Sequence, residues 1–301
     1  MSATLTTQLR NAVDGTIETD VALSRYTTWK VGGRADWLIT PRTIDGLEKA
    51  LTMLRATGVP WLVVGGGSNL LVKDGGFRGA VITMHRLRTI DIRSDGQVQV
   101  EAGATLAQVI KKGIKAGWGG LESLAGIPGT IGGATVMNAG ADGMELGRVI
   151  REVQLYNGED RQRWSHDQCG FSYRSSAFQR DSVVTVVTLA LTVGEPAQLE
   201  TRYKERLAAR RETHPYGLPN AGSVFKNPPG KVAWRMIDAV GLRGARRGDA
   251  QISPRHTNFI VNLGGARAAD ILALIDFTRK RVAAEFDVEL ETEVKIVGED
   301  G

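Results

Sequence analysis

One cysteine in 301 residues, Cys169, leaves no partner for an internal disulfide and suits a reducing compartment such as the cytoplasm. The four histidines, His85, His166, His214 and His256, lie too far apart for zinc-ligand spacing, so no metal is expected. No apolar run approaches the length of about 18 residues that a membrane span requires. The opening Met1-Ser2-Ala3-Thr4 lacks a basic stretch followed by an apolar one, so no secretory leader is expected. Neither sign of charge dominates: 38 bases and 33 acids are interleaved, unlike a nucleic-acid-binding arm. What remains is a globular composition, 42% hydrophobic and 24% charged, on a chain long enough for about two ordinary domains.

Local patterns place the elements. Ile44, Leu47, Leu51 and Leu54 fall at helical spacing over 43–57, with Thr43 as cap and Gly58-Val59-Pro60 as stop. Trp61-Leu62-Val63-Val64 reads as a buried strand, followed by Gly65-Gly66-Gly67-Ser68-Asn69 and apolar runs at Leu70–Val72 and Ala80–Ile82. A strand is predicted at Val98–Ala102 and a helix at Leu106–Ala116. Nine glycines in 117–143 argue against a helix or strand interior, while Leu121, Leu124, Ile127, Ile131, Val136 and Met137 argue for order. Val183–Val193 reads as one strand, and Leu199, Tyr203 and Leu207 as a helix stripe stopped by Pro215. Gly194-Glu195-Pro196 is the expected domain boundary. Helices are predicted near 231–240 and 268–286, the latter with Ile271, Leu274, Ile275, Val282 and Phe286 on one face. In the closing strand Val288, Leu290, Thr292, Val294 and Ile296 point one way, and Glu289, Glu291, Glu293 and Lys295 the other.

Several motifs admit a chemical and a plain structural reading. Gly65–Asn69 follows a strand and can form a backbone anion nest or a glycine hairpin. It is neither a dinucleotide fingerprint nor a P-loop, because an apolar strand follows and no Gly-Lys-Ser/Thr does. Gly126-Ile127-Pro128-Gly129-Thr130-Ile131-Gly132-Gly133, with Asn138-Ala139-Gly140-Ala141, is a second backbone-exposing loop. Two such loops on one site suit a bulky dinucleotide, and tight domain packing is the alternative. Arg174 in Ser172-Tyr173-Arg174-Ser175-Ser176 can stabilise a developing anion or form a surface ion pair. Ser223, in Ala221-Gly222-Ser223-Val224-Phe225-Lys226-Asn227, is outside any hydrolase elbow and otherwise reads as a turn serine. Glu293 otherwise reads as a solvated carboxylate. Between Arg202 and Glu212, five bases stand against two acids, either a solvated helix face or a landing place for a nucleotide diphosphate.

The order Thr27-Thr28-Trp29-Lys30-Val31-Gly32-Gly33, Gly65–Leu71, Gly126–Gly133, Ser172-Tyr173-Arg174, Ala221-Gly222-Ser223 and Glu293-Val294 runs along nearly the whole chain. It resembles the UDP-N-acetylenolpyruvoylglucosamine reductase family. The resemblance implies an α+β fold with an FAD-binding part of the vanillyl-alcohol-oxidase/PCMH type, in subdomains 1–88 and 89–195, and an α+β substrate-binding domain at 196–301. It implies non-covalent FAD held by Gly65, Gly66, Gly67, Ser68, Asn69, Gly126, Ile127, Pro128, Gly129, Thr130, Gly132, Gly133, Asn138, Ala139 and Gly140. It also implies catalysis by Arg174, Ser223 and Glu293. Ser223 follows Arg174 by only 49 positions, which matches the shorter, second type of the family. Thr213-His214-Pro215 departs from the usual Lys-Gln-Pro beside the nucleotide or pyruvyl end of the substrate.

The activity so implied is reduction of UDP-N-acetylglucosamine enolpyruvate to UDP-N-acetylmuramate in peptidoglycan synthesis, with NADPH as donor. Hydride would pass from flavin N5 to C3, and Ser223 would protonate C2. Arg174 and a protonated Glu293 would stabilise the enolate-like charge. Tyr173, Lys226 and Asn227 are the candidate substrate contacts, with Arg202, Arg210 and Arg211 as further candidates for the uridine. A cytoplasmic monomer acting on a small molecule, without nucleic acid or membrane, is expected. The competing readings are an oxidase on the same fold and a non-catalytic nucleotide-binding protein. No histidine lies between residues 1 and 84, where many such oxidases attach flavin covalently.

Overall fold

A computed structural model describes residues 3–179 and 181–301. Met1 and Ser2, on which part of the leader reading falls, lie outside the described residues. The chain divides into two compact units. The first comprises Met1–Thr19, Trp37–Gly66 and Gly79–Arg210, and the second Asp20–Asp36, Gly67–Arg78 and Arg211–Gly301.

The first unit is built on an antiparallel five-stranded sheet in the order Arg161–Ser165, Ile150–Tyr156, Val183–Ala190, Gln97–Glu101, Ile90–Ile92. Val183–Ala190 is central and β-branched, and Val183, Val184, Val187 and Leu189 are buried. The long strand expected over 183–193 breaks at Leu191, whose N–H bonds to the Gly96 carbonyl at 3.0 Å. Thr192–Val193 then pairs with a different partner, Trp118–Gly119.

Helix Leu106–Lys115 buries Leu106, Val109, Ile110 and Ile114 and starts in a capping box of Thr105 and Gln108. Helix Ile44–Ala56 is capped by Thr43, whose hydroxyl accepts from the Gly46 N–H at 3.1 Å, and buries Leu47, Leu51 and Leu54. Trp61–Val64 pairs in parallel with Ala80–Thr83. Contrary to the buried strand expected there, only Val64 is fully buried, and Trp61, Leu62 and Val63 are half-buried.

One further expectation is corrected in this unit. The glycine-rich stretch contains a short helix, Ile131–Val136, with Gly132 and Gly133 inside it. A Cβ on Gly132 would sit 2.7 Å from that of Ala102, so close packing against the Ala102 strand end requires the glycine despite its helix cost. The basic helix Pro196–Thr213 starts at the proposed boundary, yet Leu199 and Tyr203 are buried in the first unit's core, with Leu207 packed against it. The first compact unit extends along this helix to Arg210.

The second unit has its own core, including Trp29, Leu71, Val224, Phe225, Ile237, Ile260, Ile271, Leu274 and Val294. Helix Ala268–Phe286 buries Ile271, Leu274, Ile275 and Val282, with Phe286 half-buried. Asp74 caps its start from far away in sequence, its two carboxylate oxygens each accepting at 2.9 Å from the N–H groups of Ala268 and Ala269. A second helix, Ala233–Ala239, and the antiparallel strands Arg246–Arg247, Ala250–Ile252 and Ile260–Asn262 complete the unit's centre. The motif beginning Thr27-Thr28-Trp29 is a buried tie: the Trp29 indole N–H donates to the Ile260 carbonyl at 2.7 Å, and the Asn262 amide donates to the Trp29 carbonyl at 2.9 Å.

The closing strand is shorter than its alternation suggests. Only Lys295–Val297 is strand, paired in parallel with Leu70–Val72, and Ile296 is 37% exposed. Thr292 instead bridges Phe225 in antiparallel sense, and the chain bends at Glu293 and Val294 between the two pairings. The segment thus leaves one partner before it takes up the other, and the bend lies between the two pairings.

Candidate active site

The two glycine loops pack main chain to main chain. A Cβ on Gly65 would fall 2.2 Å from Thr130 Oγ1, and one on Gly66 would fall 2.8 Å from Gly129 Cα. Gly129 has φ +112°, a conformation that side chains rarely adopt. The second loop is fastened from behind, with Leu106 N–H donating to the Gly129 carbonyl at 3.1 Å and Ile131 N–H to the Ala104 carbonyl at 2.8 Å. Thr130, buried, caps the short helix through Gly133 N–H. The result is a cradle of bare backbone, rigidly held, of the kind that fits a dinucleotide gripped through main-chain N–H groups. Gly67, Ser68 and Asn69 continue into the second unit. There the Gly67 carbonyl accepts from Thr28 N–H at 3.1 Å, and a Cβ on Gly67 would collide with the Tyr26 carbonyl oxygen at 1.9 Å. The apolar strand read after the loop is present at Leu70–Val72.

Asn138 joins the second loop to the arginine. Its amide nitrogen donates to the Ser172 carbonyl at 2.9 Å and to Glu145 Oε2 at 3.1 Å, while its oxygen accepts from Gly147 N–H at 2.9 Å. Asn138 is 1% exposed and sits at φ +42°, with the polar groups of its side chain paired inside the unit. Beyond it, Ser172 and Ser175 exchange two backbone hydrogen bonds of 3.1 Å, closing a tight turn with Arg174 at φ +53°. A non-glycine residue in the left-handed region is held there by its surroundings, a feature that clusters at functional sites. The half-buried Arg174 guanidinium donates to the Gly140 carbonyl at 2.9 Å and lies over the exposed Tyr173 ring, 5.0 Å from its centroid.

Ser223 and Glu293 are neighbours within the second unit. Glu293 N–H donates to the Val224 carbonyl at 2.8 Å and Lys226 N–H to the Glu291 carbonyl at 2.9 Å, so the two segments run side by side. Gly222 at φ +74° turns the chain immediately before Ser223. Asn258, 4% exposed, holds the serine-bearing segment: its main-chain oxygen accepts from Val224 N–H at 2.8 Å, its side-chain oxygen from Phe225 N–H at 2.9 Å, and its amide donates to the Phe225 carbonyl at 2.8 Å. Lys226 is paired with Glu291 at 2.6 Å, and the Asn227 side-chain oxygen accepts from Ala233 N–H at 3.0 Å. Arg174 lies in the first unit, and Ser223 and Glu293 lie in the second.

Other candidates take structural places. Arg202 pairs with buried Glu122 at 3.5 Å, Lys204 with Glu200 at 3.3 Å and Arg206 with Asp142 at 3.3 Å. The groove of about 430 Å³ along this helix is lined by Glu122 and Glu205 as well as Arg202 and Arg206. Acids balance its bases, which favours the ion-paired helix face over an anion site. His214 of the departing Thr213-His214-Pro215 segment lies 5.3 Å from the ring of His256 and 5.0 Å from that of Phe259. Among the described residues no three acidic, histidine or cysteine side chains converge as a metal site, and no helix is long and apolar enough to cross a membrane. No motif singles out Asn258; the only local sign is a polar residue directly before the apolar run Phe259-Ile260-Val261.

Comparison with known proteins agrees with this geometry. Residues 35–162 match an FAD binding domain, and residues 214–297 match the C-terminal domain of UDP-N-acetylenolpyruvoylglucosamine reductase. The enzyme of that name from Syntrophotalea carbinolica is 42% identical over 98% of this chain and 99% of its own. That from Geobacter metallireducens is 42% identical over the full length of both chains. The crystal structure of UDP-N-acetylenolpyruvylglucosamine reductase from Thermus caldophilus superposes with a TM-score of 0.81 at 38% identity, covering 94% of this chain and 99% of that one. An alkyldihydroxyacetonephosphate synthase, at 13% identity and a TM-score of 0.50 over 64% of this chain and 41% of its own, shares the fold alone. The fold is α+β, with an FAD-binding part of the vanillyl-alcohol-oxidase type. The chain is an oxidoreductase and belongs to the UDP-N-acetylenolpyruvoylglucosamine reductase family.

Proposed function

We propose that this protein reduces UDP-N-acetylglucosamine enolpyruvate to UDP-N-acetylmuramate, with NADPH as donor and non-covalent FAD as cofactor, in peptidoglycan synthesis. The observation that carries the proposal is the lateral pairing of the Ser223 and Glu293 segments through the 2.8 Å bond from Glu293 N–H to the Val224 carbonyl. When bound, FAD supplies the hydride that NADPH provides and C3 of the enolpyruvyl group receives. The loops at Gly65–Asn69, Gly126–Gly133 and Asn138–Gly140 hold it largely through backbone.

An enol ether accepts hydride poorly unless its carboxylate draws off the developing charge. Arg174, fixed by Gly140 and Tyr173, supplies a preorganised cation for that carboxylate. In its protonated form Glu293 would donate a hydrogen bond to the same charge. Ser223 delivers a proton to C2, and the basicity of the enolate-like carbon compensates for the weak acidity of a hydroxyl. Tyr173, Lys226 and Asn227 bind the rest of the substrate, with Lys226 exchanging or sharing its present partner Glu291. Residues 1–88 and 89–195 serve the cofactor and 196–301 the substrate, in a cytoplasmic monomer.

The test is mass spectrometry of the nucleotide sugar after incubation with protein, FAD and NADPH. The expected product carries two more hydrogens than the substrate, one of them deuterium when the donor is labelled at the transferable position. Unchanged substrate alongside a flavin that binds and is reduced would overturn the assigned acceptor.

A further inference from the structure

Asn69 belongs to the first glycine loop, yet its side chain is committed elsewhere. Its amide nitrogen donates to the main-chain carbonyl of Glu293 at 3.1 Å, across 224 residues of sequence, and the Asn69 main-chain carbonyl accepts from Lys295 N–H at 3.0 Å. Both contacts lie within the second unit. They bracket the bend at Glu293 and Val294, which the parallel strand pairing does not cover, since its register begins at Lys295 opposite Leu70. On its other side Glu293 is held by the Val224 carbonyl. The Glu293 N–H donates to the carbonyl of Val224, beside Ser223, which also accepts from Val294 N–H at 3.5 Å, and the Glu293 carbonyl accepts from the Asn69 amide.

We infer that Asn69 is a positioning residue for Glu293: its side-chain amide sets the bend that aims the Glu293 carboxyl, while the backbone of the same loop serves the cofactor. The inference rests on the role proposed above for Glu293. The physical ground is that a bend between two pairings lacks a continuous ladder, so the side-chain donor on the Glu293 carbonyl, acting against the Val224 carbonyl on the opposite side, sets how the bend is turned. Displacement of a reacting group by about 1 Å can cost about 100-fold in rate.

The experiment is a double-mutant cycle of Asn69→Ala and Glu293→Gln on the FAD-loaded protein, following each half-reaction by stopped flow and FAD affinity by fluorescence. Any effect of Asn69→Ala on FAD affinity and on flavin reduction by NADPH is expected to be smaller than its effect on reoxidation, because this loop serves the cofactor through backbone. Asn69→Ala is expected to slow reoxidation by the enolpyruvyl substrate about 10- to 100-fold, and to add little further loss in the Glu293→Gln background, because residues that act as a unit are not additive. Asn69→Ser, which keeps a hydroxyl donor of shorter reach, is expected to fall between the parent and Asn69→Ala, and it provides a second soluble variant should Asn69→Ala fold poorly. A loss of FAD affinity with equal slowing of both half-reactions would overturn the inference and make Asn69 a cofactor ligand, and so would full additivity with Glu293→Gln. If Glu293→Gln alone left reoxidation unchanged, the proposed role of Glu293 would fall instead.

Discussion

Glu293 and Val224 are joined by a backbone hydrogen bond of 2.8 Å, and this pairing places the candidate acid Ser223 one residue from the bond to the residue that carries the candidate carboxyl. The bond ties two segments far apart in sequence, and both are secured independently, the first by Asn258 and the second by Leu70–Val72. Functional groups held on paired backbone keep their relative geometry better than groups on free loops.

Ser223→Ala removes the hydroxyl and leaves this pairing intact, because the paired groups are main-chain atoms of Val224 and Glu293. Flavin bleaching by NADPH is expected to proceed at the parent rate, while reoxidation by the enolpyruvyl substrate slows by about 10²- to 10⁴-fold, the usual worth of a positioned acid. Stopped-flow absorbance of the two half-reactions checks this; equal loss in both would contradict the role.

Gly65→Ala places a Cβ 2.2 Å from Thr130 Oγ1. Either the Thr130 hydroxyl gives up its cap on Gly133 or the glycine loops separate, at a cost of about 1–3 kcal/mol. A lower melting temperature and weaker FAD binding are expected together, measured by thermal unfolding with and without added cofactor. Unchanged FAD affinity in a destabilised variant would mean that this contact supports the fold and not the cofactor site.

Arg174→Gly separates backbone from side chain. Glycine relieves the φ of +53°, an effect of about 1 kcal/mol, and deletes the guanidinium with its bond to Gly140. The two effects oppose each other in stability, so denaturant unfolding is expected to shift by less than about 1 kcal/mol. Turnover with the enolpyruvyl substrate is expected to fall by about 10²- to 10³-fold. A variant that keeps its activity would remove Arg174 from the reaction.

The local elements were readable because their causes are local. Helix Ile44–Ala56 has its cap, apolar stripe and stop within one stretch, and helix Ala268–Phe286 follows its 3.6-residue stripe to the end. The bend at Glu293 was not readable, since it exists only because Thr292 pairs with Phe225 while Lys295 pairs with Leu70. Alternation continues through that bend in sequence and so suggests one long strand. The helix containing Gly132 and Gly133 was hidden for the opposite reason: composition argues against it, and its need for glycine lies in a contact with Ala102. Arg174, Ser223 and Glu293 stand out in the motif order, whereas the Asn69 and Asn258 side-chain bonds belong to tertiary pairing, on which sequence spacing is silent.

Cys169 is fully buried, and burial pushes its thiol up to about 11. The unfolded thiol titrates near about 8.5, so the native state holds its proton more tightly. This contribution to stability is present below about pH 8.5 and is lost as pH rises toward about 11. At pH 8 the native protein is expected to resist a maleimide reagent that labels the urea-unfolded protein to completion. Rapid native labelling would show that the segment preceding the Arg174 turn opens readily.

The central claim is most directly tested by the visible spectrum of the FAD-loaded protein under anaerobic conditions, recorded before NADPH, after it, and after the enolpyruvyl nucleotide sugar. The account predicts a flavin band that NADPH bleaches and that returns only when this substrate is added. A band that bleaches and returns only with oxygen would contradict the proposed acceptor.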